Sequence, residues 1–347
     1  MYEKFMRKCF TLAKKGQGKT SPNPLVGCVV IDRYGKEVAC GYHHKYGENH
    51  AERDALLKCS KEQVQDGTLI VNLEPCNHYG KTPPCSDLII EYGIKRVVIS
   101  NLDPNPKAAG GINKLKSAGI EVVTGVLEEE GRLLNRIFFK NIIENKPYLV
   151  TKVATTIDGK IATHNGNSKW ITSENSRKIV KNLRKQYDAI MTTSATVLAD
   201  NPQMKHSCKV ILDRKGKLDF LMKIFEQGQI FLITATEIKK EIPANVKVLK
   251  VDECFEKLNL EQVLQELWNA GIKSVFVEAG GKLNGELIKQ NLADEIIHFV
   301  APKILNDNTG RSCFDGDKLD LISGAKDFRI IELKKSSPDY YVRYVLK

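Results

Sequence analysis

Three side chains in the first hundred residues, His50, Cys76 and Cys85, are of the types that bind zinc well, and Glu52 stands two positions from the imidazole. A zinc ion that serves only structure closes its shell with four protein ligands, whereas a catalytic one keeps a position for water. One imidazole, two thiolates and a carboxylate outside the ligand set therefore describe a hydrolytic centre. The metal would lower the pKa of its water, and Glu52 would move the proton. Scattered cysteines are more often buried packing. Here a proline precedes each one, as Pro75-Cys76 and Pro84-Cys85, and the joint pattern favours the metal.

The order of His-x-Glu, then Pro-Cys, then a further Cys resembles the zinc nucleobase-deaminase signature. It departs in spacing, because residues 77–84 separate cysteines that are usually two apart. For both sulfurs to reach one ion this segment has to be a loop, which Gly80 and Pro83-Pro84 suit.

The elements that must position these residues follow from periodicity. Phe5, Cys9, Leu12 and Ala13 recur at helical spacing over 2–15. After the turn Ser21-Pro22-Asn23-Pro24, residues 25–31 read as a buried strand with 37–42 as its hairpin partner. His50 opens a helix to about Cys59, a strand over 68–73 ends at Pro75-Cys76, and Cys85 begins a helix over 86–92. A strand over 95–100, the turn Gly110-Gly111 with a helix, a strand over 120–124 and a helix over 128–144 complete an α/β unit. Proline at Asn145-Lys146-Pro147 marks the boundary. Beyond it, strands are expected over 148–154, 189–193, 209–213, 229–234, 246–251, 274–278, 296–301 and 340–346. Helices are expected from the N-cap Ser173 to about Gln186, over 260–270 and over 282–290.

At 347 residues two domains are expected, 1–145 and 146–347, with no internal repeat. No apolar run approaches the roughly 20 residues of a membrane span, and the start Met1-Tyr2-Glu3-Lys4-Phe5-Met6-Arg7-Lys8 lacks a secretory core. A cytoplasmic protein without a membrane partner is the expectation. The cysteines outside the proposed centre fit reduced thiols; a second metal site from Cys28, Cys40 and His43 is the less favoured alternative. The net charge of +11 suits either nucleic acid or phosphorylated small molecules. Basic residues form no arm interleaved with aromatics, which disfavours nucleic acid. The sequence is compatible with a homo-oligomer and does not require one.

In the second half, a strand, then Ala279-Gly280-Gly281, then a helix would let backbone N–H groups approach an anion, with Gly285 allowing close helix packing. The spacing is not the dinucleotide fingerprint. With Lys152, Asp158-Gly159 and Asp200-Asn201-Pro202 it favours a nucleotide or phosphate pocket; hydride transfer does not follow from it.

Over nearly its whole length the chain resembles the bifunctional deaminase–reductases of bacterial riboflavin biosynthesis. The first half carries Ser21-Pro22-Asn23-Pro24-Leu25-Val26-Gly27, His43 and Gly47 ahead of His50-Ala51-Glu52, Glu74-Pro75-Cys76-Asn77-His78-Tyr79-Gly80-Lys81-Thr82-Pro83-Pro84-Cys85, and Asp103-Pro104-Asn105-Pro106. The long cysteine spacing is that family's own. The second half carries Asp158-Gly159-Lys160-Ile161-Ala162, Ser168-Lys169-Trp170-Ile171-Thr172, Leu183-Arg184, Thr196-Val197-Leu198-Ala199-Asp200-Asn201-Pro202 and Val277-Glu278-Ala279-Gly280-Gly281.

The resemblance implies a cytidine-deaminase-like α/β/α domain followed by an α/β domain similar to dihydrofolate reductase. It implies zinc and NADPH as cofactors, and a phosphorylated pyrimidine as substrate. Zinc would be held by His50, Cys76 and Cys85, with Glu52 as proton carrier, and Asn23, His43, Lys81, Asp103 and Asn105 would grip the pyrimidine and its phosphate. Turn capping is an equal reading for Asn23 and Asp103. In the reductase, Lys152 or Asp200 would assist opening of the sugar. NADPH would lie along Ala154, Trp170, Thr196, Asp200, Gly280, Gly281, Lys282, Leu283, Asn284, Gly285 and Glu286. Ser168, Arg184, Met204, Ser207 and Glu278 would meet the substrate. One departure stands out: the family commonly has an arginine where Ser207 stands. Lys205, His206 or Lys209 would then supply the charge, as a point contact and not a fork. Two other readings stay open, a base deaminase acting on RNA and a deaminase whose second domain is an inactive scaffold.

Overall fold

A computed structural model describes residues 2–80 and 83–346. The chain divides into two compact units, Met1–Asn145 and Lys146–Lys347.

The first unit runs α1 (Tyr2–Ala13), β1 (Gly27–Ile31), β2 (Glu37–Tyr42), α2 (Ala51–Leu56), α3 (Lys61–Val64), β3 (Thr68–Leu73), α4 (Cys85–Glu91), β4 (Arg96–Asn101), α5 (Gly111–Ser117), β5 (Glu121–Val123), α6 (Glu128–Leu134) and α7 (Arg136–Glu144). Its sheet has the order β2-β1-β3-β4-β5. β1 is antiparallel to both neighbours, and the β3-β4-β5 side is parallel. β1 and β3 are apolar almost without interruption because both faces are covered. Val29, Ile31, Ile70 and Val98 pack with Met6, Cys9 and Phe10 of α1. Cys28, Val30, Leu69, Val71, Val97 and Ile99 face the opposite way, onto α2, α4, α5 and α7. This alternation builds the expected α/β/α layers.

The second unit runs β6 (Tyr148–Thr155), β7 (Lys160–Ala162), α8 (Glu174–Arg184), β8 (Ala189–Thr193), α9 (Ser194–Asp200), β9 (Cys208–Leu212), β10 (Gln229–Thr234), β11 (Val246–Lys250), β12 (Glu253–Cys254), β13 (Lys257–Leu258), α10 (Leu260–Asn269), β14 (Ser274–Val277), α11 (Gly281–Lys289), β15 (Glu295–Val300), β16 (Arg311–Ser312), β17 (Phe328–Ser336) and β18 (Asp339–Leu346). Its main sheet has the order β11-β10-β9-β8-β14-β6-β15-β18-β17. The strands from β11 to β15 are mutually parallel; β18 is antiparallel to β15, and β17 is antiparallel to β18. Met191, Val210, Phe231, Val275 and Val277 bury against α10 and α11. Ile190, Ile211, Ile230 and Leu232 bury on the other face with Val197, Met204 and Phe225.

Two expectations need correction. The single helix over 128–144 is two helices, broken at Asn135. Its side chain accepts the Leu25 N–H (2.8 Å) and donates to the Leu25 carbonyl (2.9 Å), so it serves the strand entry and not a helical surface. The edge strand β17 was not expected, since exposed and half-buried residues follow one another along it without alternation. Among the described residues no helix is long and apolar enough to cross a membrane.

Candidate active sites

The first site is assembled where β2, β3 and β4 end. His50 is the N-cap of α2, with extended backbone (φ −68°, ψ 160°), and its carbonyl accepts the Asp54 N–H (2.8 Å). Its ring is thereby presented at the helix start with Glu52 in the first turn. α2 lies hard against β2: a Cβ on Gly41 would fall 2.5 Å from Ala55 N and 2.7 Å from Ala51 O, which glycine alone avoids. β3 delivers Cys76 just beyond Leu73, and α4 begins on Cys85. Cys76 and the start of α4 meet: the Ser86 N–H donates to the Cys76 carbonyl (3.2 Å) and the Cys85 N–H points at Cys76 Sγ (3.4 Å).

His50 Nδ1 lies 3.5 Å from each of the two sulfurs, and all three candidate ligand atoms lie within 4.8 Å of one another. A zinc with ordinary Zn–S and Zn–N lengths in a tetrahedron would set the N···S edge at about 3.5 Å. The donor set therefore fits zinc in both chemistry and spacing. Cys28, Cys40 and His43 do not form a second such group among the described residues. Hydrogen bonds from Cys85 and His50 pull the Cys76 thiol down to about 4, and burial pushes the Glu52 carboxyl up to about 7.

These residues open onto a cavity of about 330 Å³ whose lining includes Asn23, His43, Tyr46, Glu74, His78, Asp103, Asn105 and Phe138. Four of the five expected substrate contacts are thus brought together; Lys81 lies outside the described residues. His43 donates from Nδ1 to the Asn49 carbonyl (3.0 Å), which leaves Nε2 to accept from Asn23 Nδ2 (3.2 Å). Burial lowers the His43 pKa, which favours the neutral ring. Asn23 then keeps one amide hydrogen and its oxygen for a ligand. Asp103 and Asn105 each cap their own loop, accepting the N–H groups of Asn105 (2.8 Å) and Lys107 (3.1 Å), and line the cavity as well. The turn and ligand readings are both true of them. Burial raises the Asp103 carboxyl to about 6.

Glu74, Asn72, Asn135 and Phe138 were missed as contributors. Asn72 holds the start of β1, accepting the Gly27 N–H (2.7 Å) and donating to the Leu25 carbonyl (2.9 Å). Its signal, and that of Glu74, is a polar residue at the end of an apolar strand, where burial demands partners. Phe138 gives no such signal, being one of two adjacent phenylalanines in an amphipathic helix.

The second site centres on Glu278, just past β14. Arg184 forks onto it, Nε to Oε1 (2.8 Å) and Nη2 to Oε2 (2.7 Å), and Lys152 Nζ stands 4.0 Å from Oε2. The Glu278 side chain is 12% exposed. Burial alone would raise its pKa, but Lys152 and Arg184 outweigh burial and hold it below the ordinary value. The structure thus joins three predicted residues 126 positions apart in sequence at their extremes, and Arg184 reaches any ligand only with the donors Glu278 leaves free. Ala154 lies two residues along β6 from Lys152, and so on the same face.

Other predicted residues fall differently. Trp170 is 64% exposed, with the Arg177 guanidinium 4.4 Å from its ring centre. Ser168 is half-buried in the same loop. Thr196 stands in the first turn of α9, bonded through its N–H to Thr193 Oγ1 (3.4 Å), and Asp200 is exposed at that helix's end. Met204 does not present its side chain to a ligand; it is buried with Ile190, Val197 and Ile211. Ser207 is exposed, whereas Lys209 is buried and donates to the Ile224 carbonyl (2.5 Å), so it is not a free surface charge.

In the glycine turn, a Cβ on Gly281 would meet Ser312 O at 2.4 Å and one on Gly285 would meet Asp315 O at 1.6 Å. Both glycines serve packing against the segment 312–315. Only at Gly280 is the space around the Cβ position open. Leu283 packs on the core, Glu286 is engaged by Lys257 (2.5 Å) and Gln290 (2.5 Å), and Lys282 is exposed. Asn284 donates to the Ala279 and Cys313 carbonyls, and its buried Oδ1 has no protein partner. Open space at Gly280, beside the unpaired N–H groups of the first turn of α11, and an orphaned buried oxygen fit a bound nucleotide.

Comparison with known proteins finds a family match for each half of the chain. Residues 1–101 match the cytidine and deoxycytidylate deaminase zinc-binding region, and residues 147–342 match the RibD C-terminal domain. The riboflavin biosynthesis protein RibD of Actinobacillus pleuropneumoniae is 39% identical, over 99% of this chain and 94% of that protein. The Escherichia coli RibD is 36% identical over 99% of each. The crystal structure of a diaminohydroxyphosphoribosylaminopyrimidine deaminase/5-amino-6-(5-phosphoribosylamino)uracil reductase from Thermotoga maritima superposes with a TM-score of 0.89 at 39% identity, covering 100% of this chain and 99% of that one. Acinetobacter baumannii RibD gives 0.87 at 32%, covering 99% and 98%. With relatives this similar along almost its entire length, the chain belongs to the RibD family, the two-domain zinc deaminases and NADPH-dependent reductases of riboflavin biosynthesis.

Proposed function

We propose that the first unit hydrolyses the amino group from 2,5-diamino-6-(5-phosphoribosylamino)pyrimidin-4-one and that the second reduces the ribosyl side chain to ribityl, giving 5-amino-6-(5-phosphoribitylamino)uracil. The observation that carries this reading is the placement of His50 Nδ1 at 3.5 Å from both Cys76 and Cys85, with buried Glu52 lining the same cavity.

His50, Cys76 and Cys85 would hold zinc, which when bound acidifies a water molecule. Glu52 takes one proton from that water and passes it to the ring nitrogen; it then carries the remaining proton of the added hydroxyl to the amine, which leaves as ammonia as the carbonyl forms. A carboxyl raised to about 7 is suited to both giving and taking a proton near neutrality. Asn23, His43, Asp103 and Asn105, which line the same cavity, orient the pyrimidine so that the amine-bearing carbon meets the water.

In the second unit, NADPH when bound supplies a hydride to the first carbon of the sugar. For that carbon to accept it, the ring must open, with the ring oxygen leaving as a hydroxyl and a carbon–nitrogen double bond forming. Lys152 Nζ donates the proton to that oxygen. Lys152 is favoured over Asp200 because Glu278 holds its ammonium among polar groups on the β6–β14 surface, whereas Asp200 is exposed at a helix end. Gly280 gives the cofactor phosphates room to approach the α11 backbone. We place both reactions in the cytoplasm, where the nine free thiols stay reduced.

The test is a coupled assay on the full chain with the diaminopyrimidine substrate, reading ammonia and NADPH oxidation together. Ammonia should appear first and NADPH consumption should follow it. NADPH oxidation that needs no prior deamination, or ammonia release that survives complete zinc removal, would refute the scheme.

A further inference from the structure

Glu74 is a buried carboxylate for which the two proposed reactions have no use. It is 7% exposed, and no ion pair to a described residue accompanies it. Its acceptors are filled by three backbone donors instead: Asp103 N–H on Oε2 (3.3 Å), and Gly110 N–H (3.0 Å) and Ile112 N–H (3.2 Å) on Oε1. All three donors belong to the segment 103–112, which follows β4 and opens α5. Glu74 itself stands two residues before Cys76, with its own N–H on the Asn101 carbonyl (2.9 Å). One side chain therefore ties the metal-bearing strand end to both ends of the loop that carries Asp103 and Asn105.

The neighbouring contacts close the same seam. The Asn77 N–H donates to the Ala108 carbonyl (3.0 Å), and a Cβ on Gly111 would lie 1.9 Å from Pro75 O. Within the loop Asp103 and Asn105 are already fixed by their own caps. The loop thus behaves as a preformed piece, and what remains to be set is its distance from the metal centre. We infer that Glu74 sets this distance: it is a positioning residue of the deamination, acting through Asp103. The inference rests on the reading of the first unit given above and adds a determinant of substrate alignment to it.

Glu74→Gln separates positioning from general scaffolding. The amide oxygen can still accept from Gly110 and Ile112, while the amide nitrogen is turned against the Asp103 N–H, donor against donor. Only the Asp103 arm is released. A misplacement on the order of 1 Å is worth about a hundredfold in rate, and kcat/KM for ammonia release should fall by about ten- to a hundredfold. Zinc content by elemental analysis and NADPH-dependent reduction of the deaminated substrate should stay at wild-type levels.

The deciding measurement is the double-mutant cycle with Asp103→Asn. If Glu74 acts through Asp103, Glu74→Gln should cost less than about twofold in the Asp103→Asn background. An equal loss in both backgrounds, an unchanged kcat/KM in the wild-type background, or loss of zinc overturns the inference. Glu74→Asp, whose carboxylate is one methylene shorter, serves if the glutamine variant does not accumulate, and the same non-additivity is required of it. Wild-type protein that releases no ammonia would refute the reading of the first unit; active wild type with additive variants would refute only the role of Glu74.

Discussion

The two glycines Gly280 and Gly285 lie five residues apart in one motif, and the structure gives them opposite reasons for being glycine. At Gly285 a Cβ would sit 1.6 Å from the Asp315 carbonyl, so Gly285→Ala must move α11 or the segment 312–315 from 1.6 Å to the 3.4 Å of ordinary contact, a retreat of about 1.8 Å. The neighbour is backbone and cannot rotate away. Overpacking of this kind costs about 1–3 kcal/mol or more, which in a unit of roughly 200 residues is a fall of about 3–10 °C in Tm. At Gly280 the backbone is extended (φ −80°, ψ 173°), a conformation any residue adopts, and nothing lies within 4 Å of the Cβ position. The fold does not require glycine there. Gly280→Ala should therefore change Tm by no more than about 2 °C, because the roughly 0.4–1 kcal/mol that a stiffer unfolded chain adds is offset by alanine's weaker fit to the N-cap position. What the methyl would obstruct is a ligand approaching the α11 backbone, so the KM for NADPH should rise by about tenfold. The assays are thermal unfolding without cofactor, and NADPH titration of the reductase. A Gly280→Ala protein with wild-type KM for NADPH, or a Gly285→Ala protein with wild-type Tm, would refute this division between ligand approach and packing.

Three more outcomes are expected. Glu52→Gln should retain zinc yet lose about 10²–10⁴ of ammonia release; near-wild-type turnover would remove the proton role. Cys85→Ser should lose both zinc and deamination while the NADPH-dependent activity of the second unit persists, so full metal occupancy would contradict the ligand set. Glu278→Gln should abolish reduction and lower the stability of the second unit, since it leaves Arg184 and Lys152 without their carboxylate; breaking a well-buried pair costs about 3–5 kcal/mol, discounted here for partial exposure. The same pair sets an acid limit. The Glu278 pKa is lowered in the folded state, so its contribution is complete above the unfolded carboxyl value and is lost as pH falls through the folded one. Acid unfolding followed by circular dichroism should show this loss in wild type and not in Glu278→Gln.

How legible each residue was depended on whether its role is set by chemistry or by neighbours. His50, Cys76 and Cys85 could be found because few side chains bind zinc, so residue type carried the assignment across an unusual gap. The positions of strands along the chain followed from apolar runs at β1, β3, β8 and β14, which burial on both faces forces. Pairings across the chain were not readable: nothing in the sequence tells Arg184 that its partner is Glu278, or Lys209 that its ammonium will meet Ile224 O. Nor could helical periodicity reveal the break at Asn135, which is made by hydrogen bonds to Leu25 at the far end of the unit. The glycine turn shows the same limit. Two of its three glycines answer to a segment thirty residues downstream.

Sheet topology explains why the scattered residues of each unit meet. In the first, β1 is antiparallel to both β2 and β3, so β2 and β3 run the same way and α2 begins at the edge where β3 and β4 end. Cys76 and Asp103 follow the ends of β3 and β4 within three residues, His50 comes at the start of the helix after β2, and Glu74 fastens two of the ends together. In the second unit β14 lies between β6 and β8 although it comes last of the three in sequence, so the chain has left β6 and returned beside it. Such a reversal leaves an open crevice at the carboxyl ends of parallel strands. Glu278 and Gly280 follow β14 at that edge, Thr196 follows β8, and Ala154 lies in the last two residues of β6. A departure at Ser207 is consistent with this geometry, because residues 201–207 lead away from that edge to the beginning of β9. Substitution there leaves the strand-end groups untouched, so Lys152, Arg184 and Glu278 keep their mutual contacts whatever stands at 207.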